Sequence, residues 1–106
     1  MTSPSSLDAI HVYDLNLWAH VGVLDQERLL GQRFLLDFSI WIDCENASKE
    51  DEIALTIDYS VAITGLQKLA FGIRCFTIEA FSEKILDFLE DLYGVAPMKI
   101  VLKKKH

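Results

Sequence analysis

The sequence offers few of the residue patterns on which metal, nucleotide or hydrolase chemistry depends. Its two cysteines, Cys44 and Cys75, form no CxxC pair and are too few for a disulfide scaffold. The three histidines, His11, His20 and His106, lack a metal-ligand spacing such as HxxxH. There is also no glycine-rich phosphate loop and no GxSxG nucleophile elbow. These absences argue against a metal site, a nucleotide site and serine-hydrolase catalysis.

Long hydrophobic runs are missing as well. No apolar stretch approaches the roughly 18–20 residues that are needed to cross a bilayer. Residues 1–6 contain no basic segment leading into an apolar one, as a secretory signal would, and are expected to be a disordered start. We therefore expect a cytoplasmic protein that does not engage a membrane.

The net charge is −6, and the basic residues are unevenly distributed. Residues 1–98 hold 16 acidic and six basic side chains, whereas the last eight residues hold four lysines and no acid. Nucleic-acid binding requires a broad basic surface, which a cluster at one end does not provide. We expect no nucleic-acid partner, and by composition alone the lysine cluster is typical of a solvated tail.

The chain is long enough and apolar enough to form one domain, residues 1–106. Hydrophobic residues make up 51% of it, and 106 residues lie within the common domain size. The segment from Leu7 to Val21 predicts a strand with a fault near Asp14, because the apolar positions change parity there. Strict alternation predicts a long second strand over Phe34–Ile42 and a third over Met98–Lys103.

Two helices are predicted between the second and third strands. The first is capped by Asp58 or Ser60 and runs to about Phe71; its buried positions are expected to be Val61, Leu66 and Leu69. The second begins after Thr77 and ends at Gly94; its core-facing stripe is expected to comprise Ile78, Phe81, Ile85, Phe88, Leu89 and Leu92. The segment from Leu24 to Leu29 is interpreted as a polar connection.

Three strands and two helices make a thin α+β domain. We expect the long second strand to leave a row of unpaired backbone groups at a sheet edge, which natural proteins seldom expose. Joining the sheets of several copies into a barrel would cover that edge. The pattern therefore favours an obligate homo-oligomer.

Four polar positions stand at element boundaries, where scaffolds usually present functional groups. They are Glu27, Tyr59, Glu79 and the Lys103–Lys105 run. Each also has an ordinary structural explanation: an acid in the first turn of a helix is favoured by the helix dipole, and a tyrosine suits an interface. Spacing alone does not identify a reaction.

Three segments, taken together, resemble the dihydroneopterin aldolase family. They are Gly22–Arg28 with Gly31-Gln32 after it, Asp51–Ile53 leading to Thr56–Tyr59, and Thr77–Ile85. The resemblance is colinear from about Ile10 to Lys104. It implies the tunnelling fold, in which antiparallel sheets with two helices on one face join into a barrel as tetramers or octamers. Family members usually continue into a further strand; here either that strand is missing or a disordered tail follows His106.

The resemblance implies retro-aldol cleavage of 7,8-dihydroneopterin in folate biosynthesis, with epimerisation to 7,8-dihydromonapterin. It implies neither a metal nor an organic cofactor, and no Schiff base. Of the residues that match the family's motifs, Glu79 would anchor the pterin, Lys104 would be the catalytic lysine, and Glu27 would support it. The neighbouring lysines, Lys103 and Lys105, leave this register uncertain by one residue.

The remaining matched positions involve a second copy. Tyr59 would assist proton transfer at the carbon being cleaved, and the backbone at Ile57 and Ile78 would flank the ring. Tyr59 and Ile57 would come from a neighbouring subunit, so that no monomer is active. Two other functions remain open: 2'-epimerisation of dihydroneopterin triphosphate, and a non-catalytic oligomeric module that only binds a pterin.

Overall fold

The computed structural model describes residues 7–43 and 59–105, which form four strands and three helices. In chain order these are β1 (Leu7–Val21), α1 (Asp25–Leu30), β2 (Gln32–Asp43), α2 (Tyr59–Gly72), β3 (Arg74–Cys75), α3 (Ile78–Tyr93) and β4 (Met98–Lys104). The predicted long strands and the two long helices are confirmed. No helix within the described ranges has the length and apolar character needed to span a bilayer.

The strands form one sheet in the order β3-β1-β2-β4. β1 pairs antiparallel with β2, and β2 pairs antiparallel with β4, in keeping with the antiparallel sheet that the resemblance implies. β3 pairs in parallel with β1 through His20 and Val21. It was not predicted, because a two-residue strand shows no alternation.

The prediction that the second strand lies at an edge is wrong. β2 pairs on both sides, because Met98–Lys104 is long enough to lie beside Phe34–Ile40. Among the described strands, the open edges are the outer side of β4 and the outer side of β1 before His20. The argument from an uncovered edge therefore applies to β1 and β4 instead.

A β-bulge interrupts β1 where the parity of its apolar residues changes. Val12 pairs with Phe38 and Leu15 with Leu36, so two residues of β1 face Asp37 alone. Asp14 has a φ of 56°, and its N–H donates to Asp37 Oδ1 at 2.8 Å. The bulge keeps apolar residues on both sides of it in the core, which confirms the predicted fault.

Both long helices bury their apolar stripes against one face of the sheet, in a single core. The rings of Phe34 and Phe81 pack edge to face, with centroids 5.4 Å apart. The fully buried positions of the helices are Ala62, Leu66 and Ala70 of α2 and Phe81, Ile85 and Leu89 of α3.

Two residues predicted to face the core are largely exposed instead. They are Val61, which is 51% exposed, and Leu92, which is 39% exposed. The core-facing line of α2 is formed by Ala62, Leu66 and Ala70 at intervals of four residues, and Val61 lies one position before that line. Leu69 packs against the core while remaining partly buried.

The segment predicted to be a polar connection forms helix α1. Its ends are fixed locally: the carboxylate of Glu27 accepts the Leu24 N–H at 3.1 Å, and the Gly31 N–H donates to the Glu27 carbonyl at 2.9 Å. None of its residues is buried, so it has no apolar stripe from which a helix is recognised in a sequence.

Candidate active site

Five elements converge on a cavity of about 330 Å³. The cavity is lined by the end of β1 with the turn after it, by α1, by the beginnings of β2 and α3, and by the end of β4. Its charged lining residues are Glu27, Glu79 and Lys104; its other lining residues are Val21, Gly22, Val23, Gln32, Phe34, Phe76, Thr77 and Ile78. The cavity therefore has apolar walls and three charged groups.

Lys104 reaches the cavity because of its register on β4. It pairs with Phe34, and residues paired across antiparallel strands point to the same face of the sheet. Phe34 is buried on the helix-covered face, so Lys104 also lies on that face. Lys103 pairs with Leu35 and points to the opposite face, and neither Lys103 nor Lys105 lines the cavity.

The Glu27 carboxylate is held by neighbours on both of its oxygens. Oε1 accepts the Leu24 N–H at 3.1 Å, and Oε2 accepts Lys104 Nζ at 3.1 Å. The Leu24 N–H, followed by the Lys104 ammonium, lowers the pKa of Glu27 below its usual value. Glu27 therefore remains an ionised partner for the lysine, although the two residues are 77 positions apart in the chain.

Gln32 is a cavity residue that was not among the predicted site residues. Its Nε2 donates to the Val21 carbonyl at 2.6 Å and makes a longer contact of 3.4 Å with Glu27 Oε2. It thus ties the carboxylate to the end of β1. The sequence signal was present, because Gln32 belongs to the first of the three matched segments.

Glu79 enters the cavity from the first turn of α3. Thr77 caps this helix as predicted, since its Oγ1 accepts the Ala80 N–H at 3.1 Å. The helix end thereby presents Glu79 and the half-buried Ile78 to the cavity. The structure therefore brings Glu27, Glu79, Lys104 and Ile78 together.

Tyr59 is not brought to the cavity within one chain. Tyr59 is the first residue of α2, is 53% exposed, and does not line the cavity. Ile57 lies outside the described residues. Their assignment to a neighbouring subunit stays a prediction.

The arrangement suits acid–base chemistry on a flat polar ligand. The Glu79 carboxylate can accept hydrogen bonds from adjacent N–H groups of a ring, and the paired Glu27 and Lys104 side chains can exchange a proton with a ligand. Within residues 7–43 and 59–105, no cluster of histidine, cysteine, aspartate or glutamate could hold a metal ion.

The turn at Gly22 has no room for a side chain, which allows a first prediction. A Cβ at this position would lie 2.5 Å from Glu27 Cβ, so α1 or the carboxylate must shift. We expect Gly22→Ala to cost about 1–3 kcal/mol of stability and to lower kcat/KM at least about tenfold by misplacing Glu27. Thermal unfolding and steady-state kinetics measure the two effects.

Gly72→Ala is the matched control for this prediction. A Cβ at Gly72 meets nothing within 4 Å, so the same chemical change there is expected to leave activity unaltered. Equal kcat/KM in the two variants would contradict the role given to the Gly22 turn.

Comparison with known proteins supplies the family. The model of the family FolB, dihydroneopterin aldolase, matches residues 10–106. A relative from Synechocystis sp. named for the same activity is 31% identical over 98 residues, which is 92% of this chain and 83% of the relative. The dihydroneopterin aldolase of Haemophilus influenzae is 24% identical over the same shares of the two chains.

Solved structures share the fold. The crystal structure of Escherichia coli dihydroneopterin aldolase in complex with neopterin is similar with a TM-score of 0.74 and 23% identity, covering 90% of this chain and 83% of that one. The FolB structure from Vibrio cholerae has a TM-score of 0.75 and 23% identity, covering 90% of this chain and 80% of that one. These likenesses support the tunnelling fold.

Proposed function

Because the chain belongs to the dihydroneopterin aldolase family, we propose that its cavity is the site at which 7,8-dihydroneopterin is bound and cleaved. The chain is a carbon–carbon lyase of folate biosynthesis. Its reaction is the retro-aldol conversion of 7,8-dihydroneopterin into 6-hydroxymethyl-7,8-dihydropterin and glycolaldehyde. The observation that carries the site assignment is the 3.1 Å contact between Lys104 Nζ and Glu27 Oε2 in a cavity that Glu79 also lines.

Glu79 is the proposed anchor of the pterin ring. The edge of the ring presents an N–H and an amino group side by side, and one carboxylate accepts both in a charge-assisted contact. Ile78 and Phe76 offer apolar surface to the faces of the ring, since both line the cavity. The backbone at Ile57 from a neighbouring copy would complete this enclosure.

Lys104 is the proposed base, and Glu27 its partner. In its unprotonated form, and acting through a water molecule, the lysine takes the proton from the side-chain hydroxyl of the substrate as the adjacent carbon–carbon bond breaks. The bonding electrons pass into the dihydropterin ring, which is protonated at N5, and glycolaldehyde leaves with the new carbonyl. Protonation of the ring-attached carbon, assisted by Tyr59, then gives the hydroxymethyl product. No metal or organic cofactor enters this scheme.

A homo-oligomer, tetramer or octamer, is proposed because one chain does not assemble the whole site. Tyr59 lies outside the cavity of its own chain. Among the described residues, the outer edge of β4 and that of β1 before His20 meet no other strand, and joining such edges between copies would form a barrel. Each site would then take Tyr59 from one copy and Lys104 from another.

The charge of the cavity favours dihydroneopterin over its triphosphate. Among the described residues that line it, two carboxylates face a single ammonium group. The nearby guanidinium of Arg28 is already engaged by Gly22, Val23 and Asp25. A triphosphate needs several free cations, so the triphosphate epimerase is the weaker alternative.

Incubating the purified protein with 7,8-dihydroneopterin, and separately with its triphosphate, tests this function. We expect glycolaldehyde and 6-hydroxymethyl-7,8-dihydropterin from the first substrate, together with some 7,8-dihydromonapterin, and little turnover of the second. Epimerised triphosphate without glycolaldehyde would indicate the epimerase instead. Pterin binding without turnover of either substrate would indicate the non-catalytic module.

A further inference from the structure

Arg28 follows Glu27 in helix α1 but points to the turn that leaves β1. Its Nη1 donates to the Gly22 carbonyl and to the Val23 carbonyl, each at 2.8 Å. Its Nη2 forms an ion pair with Asp25. One guanidinium therefore fastens α1 to the turn that forms the Glu27 side of the cavity, using the fixed fork geometry that only arginine provides.

The same guanidinium also contacts the part of the cavity lining that leads into α3. Arg28 Cζ lies 4.2 Å from the centre of the Phe76 ring, which is the geometry of a cation–π contact. Phe76 lines the cavity and precedes Thr77, the cap of the helix that carries Glu79. The backbone before Phe76 is held beside the same turn, because the Gly22 N–H donates to the Cys75 carbonyl at 3.0 Å, whereas the Phe76 side chain is 63% exposed and not fixed by the core.

The backbone of Arg28 is itself anchored. His20 Nδ1 donates to the Arg28 carbonyl at 2.8 Å from β1, and the His20 ring packs edge to face against Phe71 of α2. The Arg28 side chain is only 20% exposed. Besides its ion pair with Asp25, the Arg28 side chain contacts the Gly22–Val23 turn and Phe76, which all line the cavity, and is thus placed to fix their separation.

We propose that Arg28 is a positioning residue that sets the width of the substrate cleft. It acts on Glu27 through the Gly22–Val23 turn, and on Glu79 through Phe76 and the first turn of α3. This inference rests on the proposed function of the cavity. Arg28 itself touches neither the substrate nor the reacting atoms.

Removing the side chain should misplace both carboxylates without unfolding the chain. We expect Arg28→Ala to lower kcat about 10- to 100-fold and to raise KM for 7,8-dihydroneopterin, because small displacements of catalytic groups cost large factors in rate. Arg28→Lys should recover the activity only in part, since an ammonium group cannot donate to two carbonyls and cover a ring at once. Arg33→Ala, which removes an exposed arginine of β2 without these contacts, is the charge control.

Substitution of Phe76 separates positioning from general stabilisation. Phe76→Leu keeps an apolar wall but removes the ring that lies against the guanidinium, so it should lower kcat. If the two residues act as one unit, Arg28→Ala with Phe76→Leu should be little worse than Arg28→Ala alone. If the double variant instead lost activity by the product of the two single-variant factors, Arg28 and Phe76 would act independently and the proposed coupling would be wrong.

The controls also distinguish this inference from the function on which it rests. A wild-type protein that releases no glycolaldehyde would defeat the proposed function itself. An active wild type with unchanged kcat and KM in Arg28→Ala would overturn the inference alone. A loss in Arg28→Ala that only follows the folded fraction, measured by circular dichroism at the assay temperature, would overturn it as well.

Discussion

Lys104→Ala is expected to abolish turnover while leaving the protein folded and assembled. The pairing of Lys104 with Phe34 directs the lysine side chain into the cavity, where its Nζ lies 3.1 Å from Glu27 Oε2. Loss of a general base typically lowers kcat by about 10²- to 10⁴-fold. Because the side chain is 40% exposed and belongs to no core cluster, its removal should change stability little. Glycolaldehyde release measures kcat, and native mass measures assembly.

The neighbouring lysines provide the controls for this prediction. Lys103→Ala and Lys105→Ala remove the same charge from the same segment, but neither side chain lines the cavity. Both variants should retain turnover close to that of the wild type. If Lys104→Ala were fully active and one of the two controls were inactive, the catalytic role would belong to the lysine replaced in that control.

Binding of pterin separates a chemical role for Lys104 from a structural one. If the lysine acts as the base, Lys104→Ala should still bind neopterin with an affinity near that of the wild type, because Glu79 and the apolar walls remain. Loss of neopterin binding in step with kcat would show instead that the ammonium group holds the ligand.

Strands and helices with a strong apolar periodicity could be predicted from the sequence. Short elements without such a periodicity could not. β2 alternates without error and α3 carries a cap, a stripe and a glycine end, so both were predicted close to their observed bounds. The parity change at Asp14 was sufficient to predict the bulge. Helix α1 buries nothing and β3 has two residues, so neither produces an apolar pattern.

The site required the family resemblance and then the register of the sheet. Spacing alone does not connect Glu27 with Lys104, because the two residues are 77 positions apart in the chain. Three consecutive lysines fit either parity of a strand, and it is the pairing of Lys104 with Phe34 that decides which of them reaches the cavity. The contacts of Arg28 with Phe76 depend on tertiary structure and left no local signal.

The largest effect on binding is expected at Glu79. If its carboxylate accepts two hydrogen bonds from the edge of the pterin, removing it loses two charge-assisted contacts of about 1.5–3 kcal/mol each. Each 1.4 kcal/mol is about tenfold in affinity, so Glu79→Ala should weaken binding of neopterin by about 10²- to 10⁴-fold. Titration calorimetry or quenching of the pterin fluorescence measures the dissociation constant.

Two further variants make this result specific. Glu79→Gln preserves size and position but turns an amide toward donors of the ring, so it should bind nearly as poorly as Glu79→Ala. Glu83→Gln, four residues later in the same helix and exposed outside the cavity, removes the same charge and should bind as the wild type does. The helix dipole favours an acid in the first turn by only about 0.3–1 kcal/mol, so both Glu79 variants should remain folded. Unchanged neopterin affinity in Glu79→Gln would show that the carboxylate does not hold the ring, and the anchor would have to be sought among the backbone groups of the cavity.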